Sequence, residues 1–210
     1  SKTIIRGLVQ LIPFSVGSAA ETALLTQATK QRDKRIEQFF LALEENRISI
    51  SDEIVKSDDF VHKFLVTMGA AARTHRKEKI EVFAKLIANG GGPDTSTDVY
   101  DELLQIVDEL SYREFNALSI LDRFESENPQ EKNENKLQRA TKFWKDFQDE
   151  VIRTNELGTD EFTAFMSRIA RTGCYELITG SFLDYSGGIG YLTPLYHRIK
   201  SLCADSKSEN

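Results

Sequence analysis

Apolar residues recur along this chain at helical spacing far more often than in alternation, and caps, glycines and prolines punctuate the stripes they form. Residues 4–25 are densely apolar. Pro13 breaks any single helix through them, so two short helices meeting near residues 13–17 are expected. The second should run on to about Leu43, because Ile36, Phe39, Phe40 and Leu43 fall at i, i+3, i+4 and i+7. Residues 48–55 read as a link or a short helix. Ser57 then caps a helix with Phe60, Phe64, Leu65 and Met68 on one face. The pattern continues past Gly69 through Ala72, Ile80, Phe83, Ala84 and Ile87 to a stop at Asn89-Gly90. Gly90-Gly91-Gly92-Pro93 is the sharpest break in the chain.

Beyond it, Thr95-x-x-Asp98 has the form of a capping box, followed by a stripe of Val99, Leu103, Ile106, Val107 and Leu110. A second box, Ser111-x-x-Glu114, opens the next helix, with Phe115, Leu118, Leu121 and Phe124 facing inward. Residues 125–135 form a polar, mobile loop around Pro129, and one helix is expected over residues 137–154. The last stretch has a different order. A helix with a basic outer edge (159–172) stops at Gly173, an extended segment (175–185) leads to the turn Gly187-Gly188-Ile189-Gly190, and a return strand (191–193) leads to a helix capped by Thr193 with Pro194 at its first position. That order is the second half of a winged helix. The expected fold is mainly α, an N-terminal helical bundle (1–92) followed by a winged-helix-like module with one C-terminal β-hairpin (95–203) and a polar tail (204–210).

Composition narrows the function classes. The net charge is -6, from 27 basic and 33 acidic residues, and residues 101–160 alone hold 15 acidic against 8 basic side chains. A protein that coats phosphate backbone usually shows a net basic domain, so strong non-specific nucleic-acid binding is disfavoured. Cys174 and Cys203 lack metal or redox spacing and no secretory signal is evident, which fits inert core thiols and a cytoplasmic protein. The longest uncharged run, between Arg6 and Glu21, is too short to span a membrane, for which ~20 residues are needed. It leaves a buried entry segment or an interfacial membrane contact. The first residue is Ser1 and not Met, so residues upstream are left open.

Two groups of residues are candidates for contact. On the 160–172 helix, Phe162, Phe165, Met166 and Ile169 turn inward and leave Thr163, Ser167, Arg168 and Arg171 outward. In a helix-turn-helix such residues reach base edges or phosphates, while on any surface helix they form a solvated face. The densest positive run is 73–79, where Arg73, Arg76 and Lys77 would share a helix face able to hold a carboxylate, a phosphate or an acidic partner. They could equally pair with Glu78, Glu81 or the acidic second half. Catalytic patterns are absent: His62, His75 and His197 lie far apart, with no HExxH, GxSxG or Cys-His metal spacing. A Cys174–His197 pair across the hairpin would lack a group to orient the imidazole. No cofactor or metal is expected.

The string Lys79-Ile80-Glu81-Val82-Phe83-Ala84-Lys85-Leu86-Ile87-Ala88-Asn89, the glycine gap, the junction at Leu110-Ser111 and the late Tyr191-Leu192-Thr193 resemble the layout of bacterial abortive-infection alpha-type proteins over residues 60–200. Tyr196 departs from that pattern, where a glycine is often seen, and the run to Leu25 has no counterpart. The resemblance implies a cytoplasmic, non-enzymatic helical protein linked to phage defence. On that basis a protein partner or self-association is expected, with a winged-helix DNA regulator and a membrane-interface protein as the alternatives.

Overall fold

A computed structural model describes residues 19–45, 56–178 and 188–204, with side chains from residue 23 onward. The expected break at Pro13, the 48–55 link, the far part of the extended segment, the first turn glycine and the tail beyond Ala204 lie outside the described residues. The element order is α1 (Ala19–Glu45), α2 (Asp58–Arg73), α3 (Lys77–Gly90), α4 (Thr97–Glu109), α5 (Tyr112–Glu127), α6 (Lys136–Thr141), α7 (Trp144–Thr154), α8 (Phe162–Ala170), β1 (Tyr175–Leu177), β2 (Gly190–Leu192) and α9 (Pro194–Cys203). Among the described residues the protein is therefore mainly α, with one small two-stranded antiparallel sheet near its C-terminus.

α1 packs on α2 and α3, α4 crosses both, and α9 returns from the hairpin to lie on α3. Buried side chains form one cluster running from Phe39 on α1 to Ile199 on α9, so helices on both sides of the Gly90–Pro93 break share it. Its two dense regions are aromatic. Phe39, Phe40, Phe60 and Phe64 meet between α1 and α2, and Trp144, Phe147, Phe162 and Tyr175 meet beneath the hairpin.

Several boundaries differ from the sequence expectation. The helix expected to pass from Gly69 to Asn89 is broken at Thr74–Arg76: α2 ends at Arg73 and α3 starts at Lys77, so Arg73, Arg76 and Lys77 do not share one helix face. The cap of α4 is Ser96, whose hydroxyl accepts from Val99 N–H at 3.5 Å, one residue after the Thr95 expected. Residues 136–154 form two helices that meet at Lys142 and Phe143, which turns Phe143 into the core. The segment expected to be a mobile loop from Glu125 is still helix to Glu127, and Lys142 pairs with Glu131 and Glu134 across the residues that follow. On α2 the buried face carries Lys63, Thr67, Ala70 and Ala71, while Leu65 is exposed. The Ser111/Glu114 capping box and the Thr193/Pro194 start of α9 are as the sequence implies.

One device recurs through the fold. A helix leaves its last carbonyls without intrahelical donors, and its C-terminus attracts positive charge. Here a donor side chain from a different helix fills that role. Arg35 of α1 donates to Ala72 and Arg73 carbonyls at the end of α2. Lys63 of α2 donates to the carbonyls of Gly91, Gly92 and Thr95 just beyond α3. Lys79 of α3 reaches Asp108 and Leu110 carbonyls at the end of α4, at 2.5 and 2.8 Å. Arg139 of α6 reaches Glu125 and Asn128 carbonyls at the end of α5, Arg113 of α5 those of Asn155 and Glu156 after α7, and the Asn89 amide those of Leu202 and Ala204 at the end of α9. Each such bond fixes the end of one helix against the side of another, which sets where the chain turns.

The turn after α7 is strained. Leu157 N–H closes back on the Ile152 carbonyl at 3.0 Å, the wide hydrogen bond of a Schellman ending, and this puts Glu156 at φ 51°. Glycine normally occupies that place because a Cβ there costs about 1 kcal/mol. Glu156→Gly should therefore stabilise the protein by up to about 1 kcal/mol in urea unfolding, since Arg113 grips only the backbone carbonyl.

Candidate functional site

The hairpin and α8 are placed by small, specific contacts. Gly173 adopts φ +76° and stops α8, and Thr193 donates its hydroxyl to the Gly173 carbonyl at 2.6 Å while capping α9. β1 and β2 pair antiparallel with Tyr175 opposite Leu192, Glu176 opposite Tyr191 and Leu177 opposite Gly190. The pairing extends to Ile178 N–H on the Ile189 carbonyl, and Gly188 takes a positive φ of 94° in the turn. On β2, Leu192 N–H donates to the Glu125 carboxylate at 2.9 Å, which ties the strand to the end of α5. Burial pushes the Glu125 carboxyl up against the opposing pull of that bond and of Arg139.

α8 thus lies with Phe162, Phe165, Met166 and Ile169 buried and with Thr163, Ser167, Arg168 and Arg171 all exposed. Between α8 and the α4–α5 junction is an open cleft of about 550 Å³ lined by Glu109, Ser111, Glu114, Arg168, Arg171 and Thr172. Its floor is an ion pair. Arg168 Nε donates to Glu114 Oε1 at 2.8 Å, and Glu114 Oε2 accepts from Ser111 N–H at 2.7 Å. Burial alone would push the Glu114 carboxyl up, but the bonds from Ser111 and Arg168 outweigh it and hold the group below its ordinary value. Arg171 makes no ion pair among the described residues.

That lowered carboxyl carries a pH signature. A carboxyl whose folded-state value is depressed contributes stability that is present above its unfolded value, about 4.3, and is lost as pH falls through the folded value. Glu114→Gln should therefore cost about 1–2 kcal/mol at pH 7. Urea midpoints of variant and wild type should converge as the pH is lowered below about 4.

Of the second sequence-predicted group, Arg73 and Arg76 reach the same junction, while Lys77 pairs within α3. Arg73 pairs with Asp108 at 2.8 Å, Lys77 with Glu81 at 3.3 Å, and the Arg76 guanidinium lies 5.6 Å over the Tyr112 ring. Arg76, Tyr112 and Arg113 border a second cleft of about 420 Å³ that reaches the Asn155–Glu156 turn. Two of the three cations are thus paired with acidic neighbours. A third recess of about 320 Å³, between α3, α5 and α9, is apolar, with Val82, Phe115, Ile199 and Cys203 in its lining.

Sequence reasoning missed Glu114 as the partner of Arg168, Arg113 as its neighbour across Phe165, and the whole set of helix-end cations. The only prior signal was the capping box, which named Glu114 as a cap and gave no hint that its second oxygen would reach α8. Cys174 is buried and its thiol is pushed up by that burial, and Cys203 is pushed up to about 12 for the same reason, so neither supplies a thiolate near neutral pH. Among the described residues no cluster of His, Cys, Asp and Glu could hold a metal ion, and no helix is long and apolar enough to cross a membrane.

No family model, curated protein or solved structure matches the chain.

Proposed function

We propose that this is a non-enzymatic cytoplasmic protein that acts by binding another protein. Its C-terminal part, α7, α8, the hairpin and α9, serves as a winged-helix-like module, and the α8 cleft is its contact face. The observation that carries this reading is the mixed charge of the cleft. Arg168 is already committed to Glu114, and Glu109 shares the lining with the free Arg171. A phosphodiester backbone calls for several uncommitted cations on one side. A protein surface offering a carboxylate to Arg171 and hydrogen bonds to the exposed Thr163 and Ser167 suits such a face better. The sequence resemblance to abortive-infection alpha-type proteins supports a role in phage defence.

Arg171→Glu is the discriminating variant, because Arg171 supports no other part of the fold among the described residues. In pull-downs from nuclease-treated lysate of the cells that express the protein, a partner held by the wild type should fall about tenfold or more with Arg171→Glu. Equal recovery by both would remove the reading. The runner-up is a DNA-binding regulator, favoured by the simultaneous exposure of Thr163, Ser167, Arg168 and Arg171 on α8. It requires a salt-dependent gel shift on specific DNA that Arg171→Glu abolishes.

A further inference from the structure

The first turns of α1 stand apart from the rest of the fold. Residues 23–31 are all exposed, including Leu24 at 71% and Leu25 at 41%, while partial burial begins at Arg32 and the first fully buried side chain of α1 is Phe39. The direction of this arm follows from two contacts. Arg35 meets the C-terminal end of α2 and Phe39 meets Phe64 farther back along it, so α1 runs antiparallel to α2. Going N-terminal from Arg35 therefore leads off the end of the bundle. At 1.5 Å per residue Leu24 lies about 16 Å beyond that contact.

The arm also carries uncommitted positive charge. Lys30 and Lys34 are exposed and form no ion pair among the described residues, whereas Arg32 pairs with Asp33, Arg35 donates to the Arg73 carbonyl, and Arg73 and Lys77 nearby pair with Asp108 and Glu81. A helix exposed all round gains nothing from tertiary packing, and a short one is marginal in water. The exposed leucines followed by two uncommitted lysines match what an anionic lipid surface selects: apolar side chains at the acyl boundary and lysines among the headgroups.

We propose that the N-terminal arm of α1, through Leu24, Leu25, Lys30 and Lys34, docks the protein on an anionic bilayer surface, with the arm lying in the interface and not crossing it. This docking does not depend on the α8 cleft.

The test is vesicle flotation of the full chain at about 0.1 M salt, with phosphatidylcholine vesicles against vesicles of phosphatidylcholine and phosphatidylglycerol in a roughly 7:3 ratio. The protein should float with the anionic vesicles roughly tenfold more than with the neutral ones, and high salt should reduce this. Leu24→Asp/Leu25→Asp and Lys30→Glu/Lys34→Glu should each cut flotation roughly tenfold. Neither should alter far-UV circular dichroism or the thermal midpoint, because all four residues are exposed. No flotation with anionic vesicles, or flotation unchanged in both variants, would overturn the proposal. So would a lipid-free dimer abolished by Leu24→Asp/Leu25→Asp, which would assign the arm to a second copy of this chain.

Discussion

Lys63→Met should lower the stability of this protein by about 3 kcal/mol, a fall in thermal midpoint of roughly 6–12 °C. Lys63 is 2% exposed, and its ammonium donates to the carbonyls of Gly91, Gly92 and Thr95, the last at 2.6 Å. It also lies 5.8 Å from the centre of the fully buried Tyr100 ring. Methionine keeps the aliphatic stem and volume, so packing is largely preserved and the lost term is polar. Three carbonyls at the end of α3 and the start of the next loop would lose their donor in a place water reaches poorly. The neighbouring network is sensitive to the same change. Thr67 donates its only hydroxyl proton to the Lys63 carbonyl at 2.7 Å, so Tyr100 must donate to Thr67 across their 2.6 Å contact. Burial also keeps the Tyr100 phenol protonated at all ordinary pH, by pushing its ionisation well up. A surface lysine would cost less than about 0.5 kcal/mol on replacement, and a loss that small in urea or thermal unfolding would show that Lys63 does not hold the break.

Gly190→Ala should be equally damaging, at about 3 kcal/mol. Gly190 pairs with Leu177, and a Cβ added there would collide with the Tyr175 ring and the Glu176 carbonyl. Neither can yield freely. Tyr175 is buried and stacks at 19° on Trp144, which itself packs on Phe147 with ring centres 4.9 Å apart. The hairpin must therefore open or Tyr175 must leave the core. Trp144 is the only tryptophan in the chain, so its emission reports the event directly. The variant should show red-shifted fluorescence along with its lower urea midpoint, and native emission with an unchanged midpoint would contradict the packing described here.

What the sequence made legible follows from range. Features decided within four residues were readable. The Ser111/Glu114 box, the Ser57 and Thr193 caps, the Gly173 stop and the inward stripe Phe162, Phe165, Met166 and Ile169 each depend on local backbone geometry or helical period. Features decided by a distant donor were not. Lys63, Lys79, Arg113 and Arg139 read as ordinary surface charges, because nothing near them in the chain shows that a helix end 11 to 43 residues away needs a cation. The break at Thr74–Arg76 was hidden for a related reason. The apolar residues on either side keep helical spacing, and the end of α2 is set by Arg35 from another helix.

The same limit applied to the candidate site. The outward set on α8 was legible from the period of its apolar face, so Thr163, Ser167, Arg168 and Arg171 were named correctly as surface residues. That Arg168 would be taken up by Glu114, 54 residues earlier, was not. That pairing leaves Arg171 as the cation of the cleft with no ion pair among the described residues and sets Glu109 and Glu114 in the same lining.

The central claim, that the α8 face binds protein, is tested most directly by photo-cross-linking from position 163 in the cells that express the protein. A photoreactive amino acid at exposed Thr163, with one at exposed Lys145 on α7 as the control, reads what lies against α8. The account predicts a discrete protein adduct from position 163, lost with Arg171→Glu and absent from position 145. Cross-links to nucleic acid, or the same adducts from both positions, would contradict it.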